Sequence, residues 1–201
     1  MDKLSYALGM SVGHNLLQSG VADLKTEDFA AAIKDVLSGG KCALSFEEAG
    51  AILNDYFTRV EKEQQAAMAD MAARFKEEGA AFLKANGAKE GVVTLKSGLQ
   101  YKVLEAGSGK KPLPSSSVKC HYCGTLIDGT KFDSSYDRNE PAVFGVKQVI
   151  PGWTEALQLM CEGAKWELYI PYNLAYGEQG IQGSIPPCAT LLFTVELLEV
   201  L

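Results

Sequence analysis

The stretch VKCHYCGTLIDGTKFDSS at 118–135 decides the fold of the second half of this chain, and three shorter segments follow it. These are VIPGW at 149–153, AYG at 175–177 and IPP at 185–187. Of the charged residues nearby, Asp133 and Arg138 are placed to serve these segments. The set is typical of an apolar aromatic cup and not of a nucleophile with its base. Its aromatic and branched aliphatic residues stand between turns: Tyr122, Phe132, Phe144, Val149, Ile150, Trp153, Tyr176, Ile185 and Phe193.

Composition and charge exclude several classes of function. The 201 residues are 47% hydrophobic and 22% charged, which is ordinary for a folded globular protein. The net charge of -6 argues against nucleic acid or an anionic membrane as a main partner. The start MDKLSYALGMSVG lacks the features of a secretory signal, and the five scattered cysteines are typical of free thiols. We therefore expect a cytoplasmic protein, or a periplasmic one if a leader has been removed.

The chain changes character near residue 90. All seven prolines and both tryptophans follow this point, whereas the residues before it are rich in Ala, Glu, Lys, Met and Gln. This change predicts a helical domain over 1–90 and a mostly β domain over 91–201. The expected fold class is α+β: an all-α N-terminal domain with a long linking helix, then an antiparallel sheet wrapped on a short helix.

Three helices are predicted in the first part. The first covers about 3–18, the second has Thr26 as its N-cap, and the third runs from about 45 to 88 after a capping box of Ser45 and Glu48. One apolar stripe on the first helix recurs every four positions: Leu4, Leu8, Val12 and Leu16.

The helical part is too small to bury a sound core by itself. Self-association would supply the missing apolar surface, and the alternative is that these helices dock on the β domain of the same chain. The distal half of the long helix is mostly polar, so we expect it to bridge two domains in solvent or to pack on a partner.

Alternating hydrophobic patterns and turn residues predict five strands and one short helix in the second part. The helix opens after Pro151 and covers 152–160. The strands are expected at 98–106, 117–126, 142–146, 164–170 and 190–201.

The segments quoted above resemble, in order and spacing, those of the FKBP-type peptidyl-prolyl cis-trans isomerases over about 92–201. The resemblance implies an FKBP-like fold that isomerises Xaa-Pro bonds without a cofactor. It implies Asp133, Tyr176 and Tyr122 as catalytic residues, with Arg138 pairing with the aspartate and orienting Tyr122. The implied substrate-binding residues are Tyr122, Phe132, Asp133, Arg138, Phe144, Val149, Ile150, Trp153, Tyr176, Ile185 and Phe193.

The helical half is similar to the N-terminal domain of the dimeric bacterial branch, the macrophage-infectivity-potentiator and FklB-like proteins. The stretch YALGMSVGHNL at 6–16 and the long helix carry this similarity. It implies a V-shaped homodimer, joined through the N-terminal helices, that accelerates proline-limited folding and binds unfolded chains in a chaperone-like manner. The implied partners are Xaa-Pro peptides, unfolded proteins and rapamycin-type macrolides. Ala142 stands where many small eukaryotic members carry an aromatic residue, and Ile181 stands where some members carry a histidine. These two differences leave the affinity for macrolides open.

Two motifs resemble sites with a different chemistry, a CxxC pair and a phosphate-binding loop. Cys120 and Cys123 have CxxC spacing, but residues three apart on a strand face opposite sides, so we predict neither a redox dithiol nor a metal site. The GSGKK segment at 107–111 lacks the full spacing of a phosphate-binding loop and is predicted to be a turn. Two other functions stay open: a binding module whose pocket merely anchors proline, and a pseudo-isomerase that serves as a dimerising scaffold.

Overall fold

The computed structural model describes residues 1–21 and 23–201, and the chain divides into two compact units, Met1–Ala66 and Ala67–Leu201. The first unit contains α1 (Lys3–Gln18), α2 (Thr26–Leu37) and the beginning of α3 (Phe46–Asn86). No helix within the described residues has both the length and the apolarity to cross a membrane.

Local sequence signals set the beginnings of these helices. Asp2 caps α1 by accepting the Ser5 N–H at 2.7 Å. The capping box before α3 is confirmed, because the Ser45 N–H donates to the Glu48 carboxylate at 2.8 Å and the Glu48 N–H donates back to the Ser45 hydroxyl at 3.1 Å. The expectation that Thr26 caps α2 is wrong: Thr26 is already the first helical residue, and extended Lys25 precedes it without a capping side chain.

The first unit has no buried side chain among its described residues 1–21 and 23–66. Five large side chains distributed around α1 are between 58% and 70% exposed: Leu4, Tyr6, Leu8, Met10 and Leu17. A helix with apolar side chains on several sides is normally covered by another surface. The first unit therefore lacks a hydrophobic core of its own, as its small size predicts.

The second unit is built on one antiparallel sheet of seven strands. These are β1 (Val92–Thr94), β2 (Gln100–Glu105), β3 (Ser117–Leu126), β4 (Lys131–Ser134), β5 (Ala142–Gly145), β6 (Lys165–Ile170) and β7 (Leu191–Val200). Its order is β1-β2-β6-β7-β3-β4, and β5 also pairs with β3, so β3 has three partner strands. The predicted α+β class and all five predicted strands are confirmed. Two further short strands, β1 and β4, were not predicted.

One face of this sheet packs against the short helix α4 (Pro151–Leu157). Buried and partly exposed side chains alternate along β3, so a single face of that strand enters the core. The helix contributes Trp153, Ala156 and Leu157 to the same core. Facing residues of the sheet are Val118, Leu168, Ile170, Leu191, Val195 and Leu197.

The C-terminal half of α3 packs on the sheet of the second unit. A Cβ atom at Gly79 would lie only 2.3 Å from the Thr190 Oγ1 atom, so the helix backbone approaches β7 closely. The Gln100 side chain donates to the Leu83 carbonyl at 2.8 Å and accepts from the Asn86 amide at 3.0 Å. The last turns of α3 thus pack within the chain instead of bridging solvent. For this reason the second unit begins at Ala67, although the composition changes near residue 90.

Replacement of Gly79 by alanine is expected to destabilise the second unit, although alanine has the higher helix propensity. Propensity alone favours alanine by about 1 kcal/mol. Forcing a methyl group against buried Thr190 costs about 1–3 kcal/mol, so the clash outweighs the propensity. Urea unfolding followed by the fluorescence of Trp153 and Trp166, both in the second unit, measures the difference.

Gly50→Ala is the matched control, because a Cβ atom at this position of the same helix meets no atom within 4 Å. Circular dichroism should show that this variant unfolds at the same or a higher temperature. Adding Thr190→Ala to Gly79→Ala should recover part of the loss. A Gly79→Ala protein as stable as the parent would contradict the tight packing of α3 on the sheet.

Candidate functional site

A concave cavity of about 400 Å³ opens on the second unit between α4 and the sheet. Its walls are mostly aromatic and aliphatic, with few polar groups. This composition suits a small apolar group that carries one or two hydrogen-bonding atoms. We call the cavity the cup, and it is lined by Tyr122, Phe132, Asp133, Phe144, Gln148, Val149, Ile150, Trp153, Tyr176 and Phe193.

The indole ring of Trp153 forms the centre of the cup. Three aromatic rings meet it edge to face, with centroid distances of 5.4 Å to Tyr122, 5.7 Å to Phe144 and 5.3 Å to Phe193. Edge-to-face pairs are the favoured arrangement of aromatic side chains. Because the three partners come from β3, β5 and β7, the ring is held from three sides and is 4% exposed.

The segment VIPGW positions this indole ring. Ile150 precedes the helix, and its carbonyl accepts from the Trp153 N–H at 2.9 Å. Pro151 occupies the first turn, where its fixed φ suits a helix and its missing N–H costs nothing. A Cβ atom at Gly152 would lie 2.5 Å from the Ile170 Cγ2 atom. Glycine therefore lets α4 lie directly on β6, with Trp153 directed into the cup.

A network of three polar side chains stands at the rim of the cup. The Tyr122 hydroxyl donates to the Asp133 carboxylate at 2.6 Å and accepts from the Arg138 guanidinium at 2.7 Å. Arg138 also forms an ion pair with Asp133 and lies over the Tyr122 ring, 5.6 Å from its centroid. Each member of the network is thereby oriented by the other two.

This network controls the protonation of its members. Burial alone would raise the pKa of the Asp133 carboxyl, but hydrogen bonds from Tyr122 and Arg138 and the guanidinium charge lower it below its ordinary value. Burial and the hydrogen bond to Asp133 raise the pKa of Tyr122. Burial and the charge of Asp133 likewise raise the pKa of Tyr176. At neutral pH the cup therefore presents one carboxylate and two phenol groups.

The backbone of Tyr122 is held by a residue that sequence analysis missed. Ser135 is fully buried, and its hydroxyl accepts from the Tyr122 N–H at 2.7 Å. The Ser135 N–H donates to the Tyr122 carbonyl at 2.9 Å. The same hydroxyl lies 2.9 Å from the Nδ1 atom of His121. Ser135 ends the first quoted segment, but nothing in a sequence marks such a contact between β3 and the residue that follows β4.

The structure gathers nine of the eleven predicted substrate-binding residues around the cup. Arg138 is absent from the lining and acts on the cup only through Tyr122 and Asp133. Ile185 is 5% exposed and lines a separate groove. Gln148 lines the cup and was missed, and its one signal is that it directly precedes VIPGW.

The cysteines of the CxxC segment face opposite sides of β3, as expected for residues three apart on a strand. Cys120 is buried and Cys123 is partly exposed. Burial raises the pKa of the Cys120 thiol to about 12, which leaves little of the reactive thiolate at neutral pH. Within 1–21 and 23–201, no group of three or more His, Cys, Asp or Glu side chains is placed to hold a metal ion.

Comparison with known protein families gives a match in each half of the chain. A family described as "Domain amino terminal to FKBP-type peptidyl-prolyl isomerase" matches residues 1–103. A second, "FKBP-type peptidyl-prolyl cis-trans isomerase", matches residues 108–198. The resemblance drawn from the sequence motifs is thereby confirmed.

Individual relatives are similar over most of their length. The chain is 47% identical to the FKBP-type 22 kDa peptidyl-prolyl cis-trans isomerase of Escherichia coli (strain K12) over 98% of this chain and 94% of the relative. It is 44% identical to the outer membrane protein MIP of Legionella longbeachae over 99% of this chain and 85% of the relative. The crystal structure of FkpA from Escherichia coli is 40% identical, with a TM-score of 0.75 over 98% of this chain and 95% of that chain.

The Asp133 carboxyl is expected to titrate below the ordinary value of about 3.9. Because the folded-state pKa is lowered, the charged network contributes stability above about pH 4 and loses it as the pH falls through the folded-state pKa. Arg138→Gln should raise the pKa of Asp133. Carboxyl carbon chemical shifts, recorded by NMR against pH, measure both values.

Lys131→Gln is the control for that titration, since Lys131 pairs with Asp137 and not with Asp133. Its effect on the Asp133 midpoint should be small. An Asp133 midpoint above the ordinary value in the parent protein would mean that burial outweighs the hydrogen bonds.

Proposed function

The chain belongs to the FKBP-type peptidyl-prolyl cis-trans isomerases, and from this premise we propose that it accelerates proline-limited protein folding as a V-shaped homodimer that also binds unfolded chains. The observation that carries the proposal is the cup, an apolar aromatic site with a fixed polar network at its rim. The five free cysteines favour a reducing compartment, so we propose a cytoplasmic location, or a periplasmic one if a leader has been removed.

An isomerase of this type needs no nucleophile, because no bond is broken. The Xaa-Pro bond exchanges in tens to hundreds of seconds, and loss of amide resonance at the twisted state sets a barrier of about 18–20 kcal/mol. An apolar site removes water from the carbonyl oxygen, where water stabilises the planar, charge-separated form. It also favours the twisted rotamer by shape. Each increment of about 1.4 kcal/mol in selective binding of the twisted state multiplies the rate tenfold.

We assign the proline ring to the aromatic centre of the cup. Trp153 lies beneath it and is held by three rings at nearly right angles, so little side-chain entropy is lost on binding. The surrounding walls restrict the proline ring to one orientation and leave the Xaa-Pro peptide bond at the rim of the cup. The residues proposed to contact the ring are Tyr122, Phe132, Phe144, Val149, Trp153 and Phe193.

We assign the polar groups at the rim to the rotating peptide. The Tyr176 hydroxyl stays protonated at neutral pH and donates to a substrate carbonyl, as does the Ile150 N–H. Asp133 places negative charge near the carbonyl carbon as the bond twists. Arg138 keeps that carboxylate ionised and correctly oriented through the contacts described above.

Association through α1 follows from its uncovered apolar side chains. The first unit has no buried side chain within 1–21 and 23–66, so its helices lack a core of their own. A second copy of the unit would cover these surfaces with surfaces of the same kind, as a two-fold interface requires. The dimer would present two cups to one unfolded chain, which raises the effective concentration of the second cup.

Asp133→Ala and Tyr176→Phe are each expected to lower kcat/KM for a Leu-Pro peptide by about tenfold. The first variant loses the negative charge near the carbonyl carbon, and the second loses one hydrogen bond to a substrate carbonyl. The fold should survive, since both residues lie at the rim. Cis-to-trans exchange of the peptide is the measurement, and rapamycin should inhibit the parent protein by occupying the cup.

Tyr101→Phe provides the matched control, because Tyr101 stacks on Trp166 away from the cup and should tolerate loss of its hydroxyl. Full activity in both rim variants would refute the assigned roles. A folded protein without any activity would favour the binding module over the enzyme.

Leu8→Glu is expected to convert the protein to a monomer, because it places a charge on a large exposed apolar side chain of α1. Analytical ultracentrifugation measures the mass. Activity on a tetrapeptide should be retained, whereas catalysis of the refolding of a proline-limited protein should fall.

Leu104→Glu is the corresponding control on β2, where the side chain is also exposed. This variant should keep the mass of the parent protein. A parent protein that is already monomeric at micromolar concentration would contradict the proposed association.

A further inference from the structure

A second concave surface lies on the second unit, between α3 and the loop 178–188. It consists of two adjoining cavities of about 600 Å³ and 440 Å³ that share Met68 and Pro187. We call this surface the α3 groove. Every residue that lines it belongs to Ala67–Leu201. The side chains used below are Met68, Met71, Leu126, Ile181 and Pro187.

The groove is apolar and open to solvent. Met68 is 53% exposed, Met71 43% and Ile181 40%. Large contiguous apolar patches on a protein surface mark binding sites, whereas single exposed apolar residues do not. Methionine is unbranched and flexible, so it adapts to apolar side chains of different shape. These properties suit a partner whose sequence varies.

The charges beside the groove favour a neutral apolar partner. Lys76 and Glu178 both line the smaller cavity, so opposite charges stand together there. Neither an acidic nor a basic segment would gain a net attraction from this pair.

The groove and the cup are separate cavities that lie near each other along β3. Tyr122 lines the cup, Leu126 lines the groove, and both point to the buried face of the strand. Four residues of strand separate them, which corresponds to about 13 Å at a rise of ~3.3 Å per residue. The loop connects the two sites as well, because Tyr176 lines the cup and Ile181 lines the groove.

We propose that the α3 groove binds an apolar segment of the same polypeptide substrate, about four or more residues from the proline held in the cup. An extended substrate chain advances at the same rise as a strand, so its proline and this segment reach both sites at once. The inference rests on the proposed function, since the substrate must be a polypeptide chain. It adds a second contact that short peptides cannot make.

The test uses the full-length protein with the double variant Met68→Gln/Met71→Gln. Glutamine keeps the length and helix propensity of methionine and removes its apolar character. The control variant is Leu104→Gln, which makes a comparable change at a similarly exposed apolar residue outside the groove. Two substrates are compared: an Ala-Leu-Pro-Phe tetrapeptide, and a peptide of about twelve residues with the same centre and leucines beyond the fourth position on both sides.

The double variant should lower kcat/KM for the long peptide by about fivefold to tenfold, through a higher KM, as the loss of partly buried apolar contacts predicts. Its activity on the tetrapeptide should equal that of the parent protein. Replacing the outer leucines of the long peptide by serines should abolish the difference. The control variant should behave as the parent does on both substrates.

Three outcomes would overturn the inference. Equal activity of the double variant and the parent on the long peptide would show that the groove is not used. Equal losses on both peptides would show a structural effect on the cup. A change of mass in ultracentrifugation, with peptide activity unchanged, would show that a second copy of the chain occupies the groove.

Binding separates this inference from the proposed function. Fluorescence anisotropy of the labelled long peptide measures affinity without catalysis. If the parent protein isomerises neither peptide, the proposed activity fails, while a weaker affinity of the double variant would still support the groove. Equal affinities of the parent protein and the double variant would refute the groove as a binding site for the peptide.

Discussion

The close approach of α4 to β6 at Gly152 is the constraint on which the functional site depends. With no side chain at this position, the helix lies directly on Ile170 and directs Trp153 toward the centre of the cup. A bulkier residue would lift the helix and withdraw the indole ring from its three aromatic partners. The hydrophobic layer between helix and sheet and the floor of the site are therefore the same structure.

The polar network at the rim has an orienting role and contributes little to stability. The ion pair between Arg138 and Asp133 is about half exposed on both sides, and ion pairs in such surroundings stabilise proteins only weakly. Its effect on Tyr122 is geometric, because the hydroxyl is held between a carboxylate and a guanidinium. A fixed dipole beside an apolar cavity is suited to a reaction in which charge shifts within an amide and no proton is transferred.

The two units differ in how their apolar side chains are covered. The sheet of the second unit encloses a continuous core, against which Phe75 in the C-terminal half of α3 also packs. The first unit exposes its apolar side chains, and α3 runs through both. The unit that carries the cup therefore has a complete core within one chain, whereas the proposed second copy would cover the first unit. The groove beside α3 lies in the catalytic part, where a long substrate would meet it.

Much of this architecture could be predicted because the signals are local. Alternation identified β3 over its full length, and the capping box at Ser45 and Glu48 located the start of α3. The ordered motifs identified the family and nine of the cup residues. The small size of the helical part led to the prediction of self-association, which stays a prediction.

Contacts between distant segments could not be predicted in this way. Only the tertiary structure placed Gly79 of α3 against Thr190, put Gln148 in the cup, and placed Ile185 in a different groove. Periodicity determines which face of a helix or strand is apolar, because side-chain direction repeats along the backbone. Which surface that face meets, and how deep a side chain lies, depends on elements far away in the chain, and so only folding decides it.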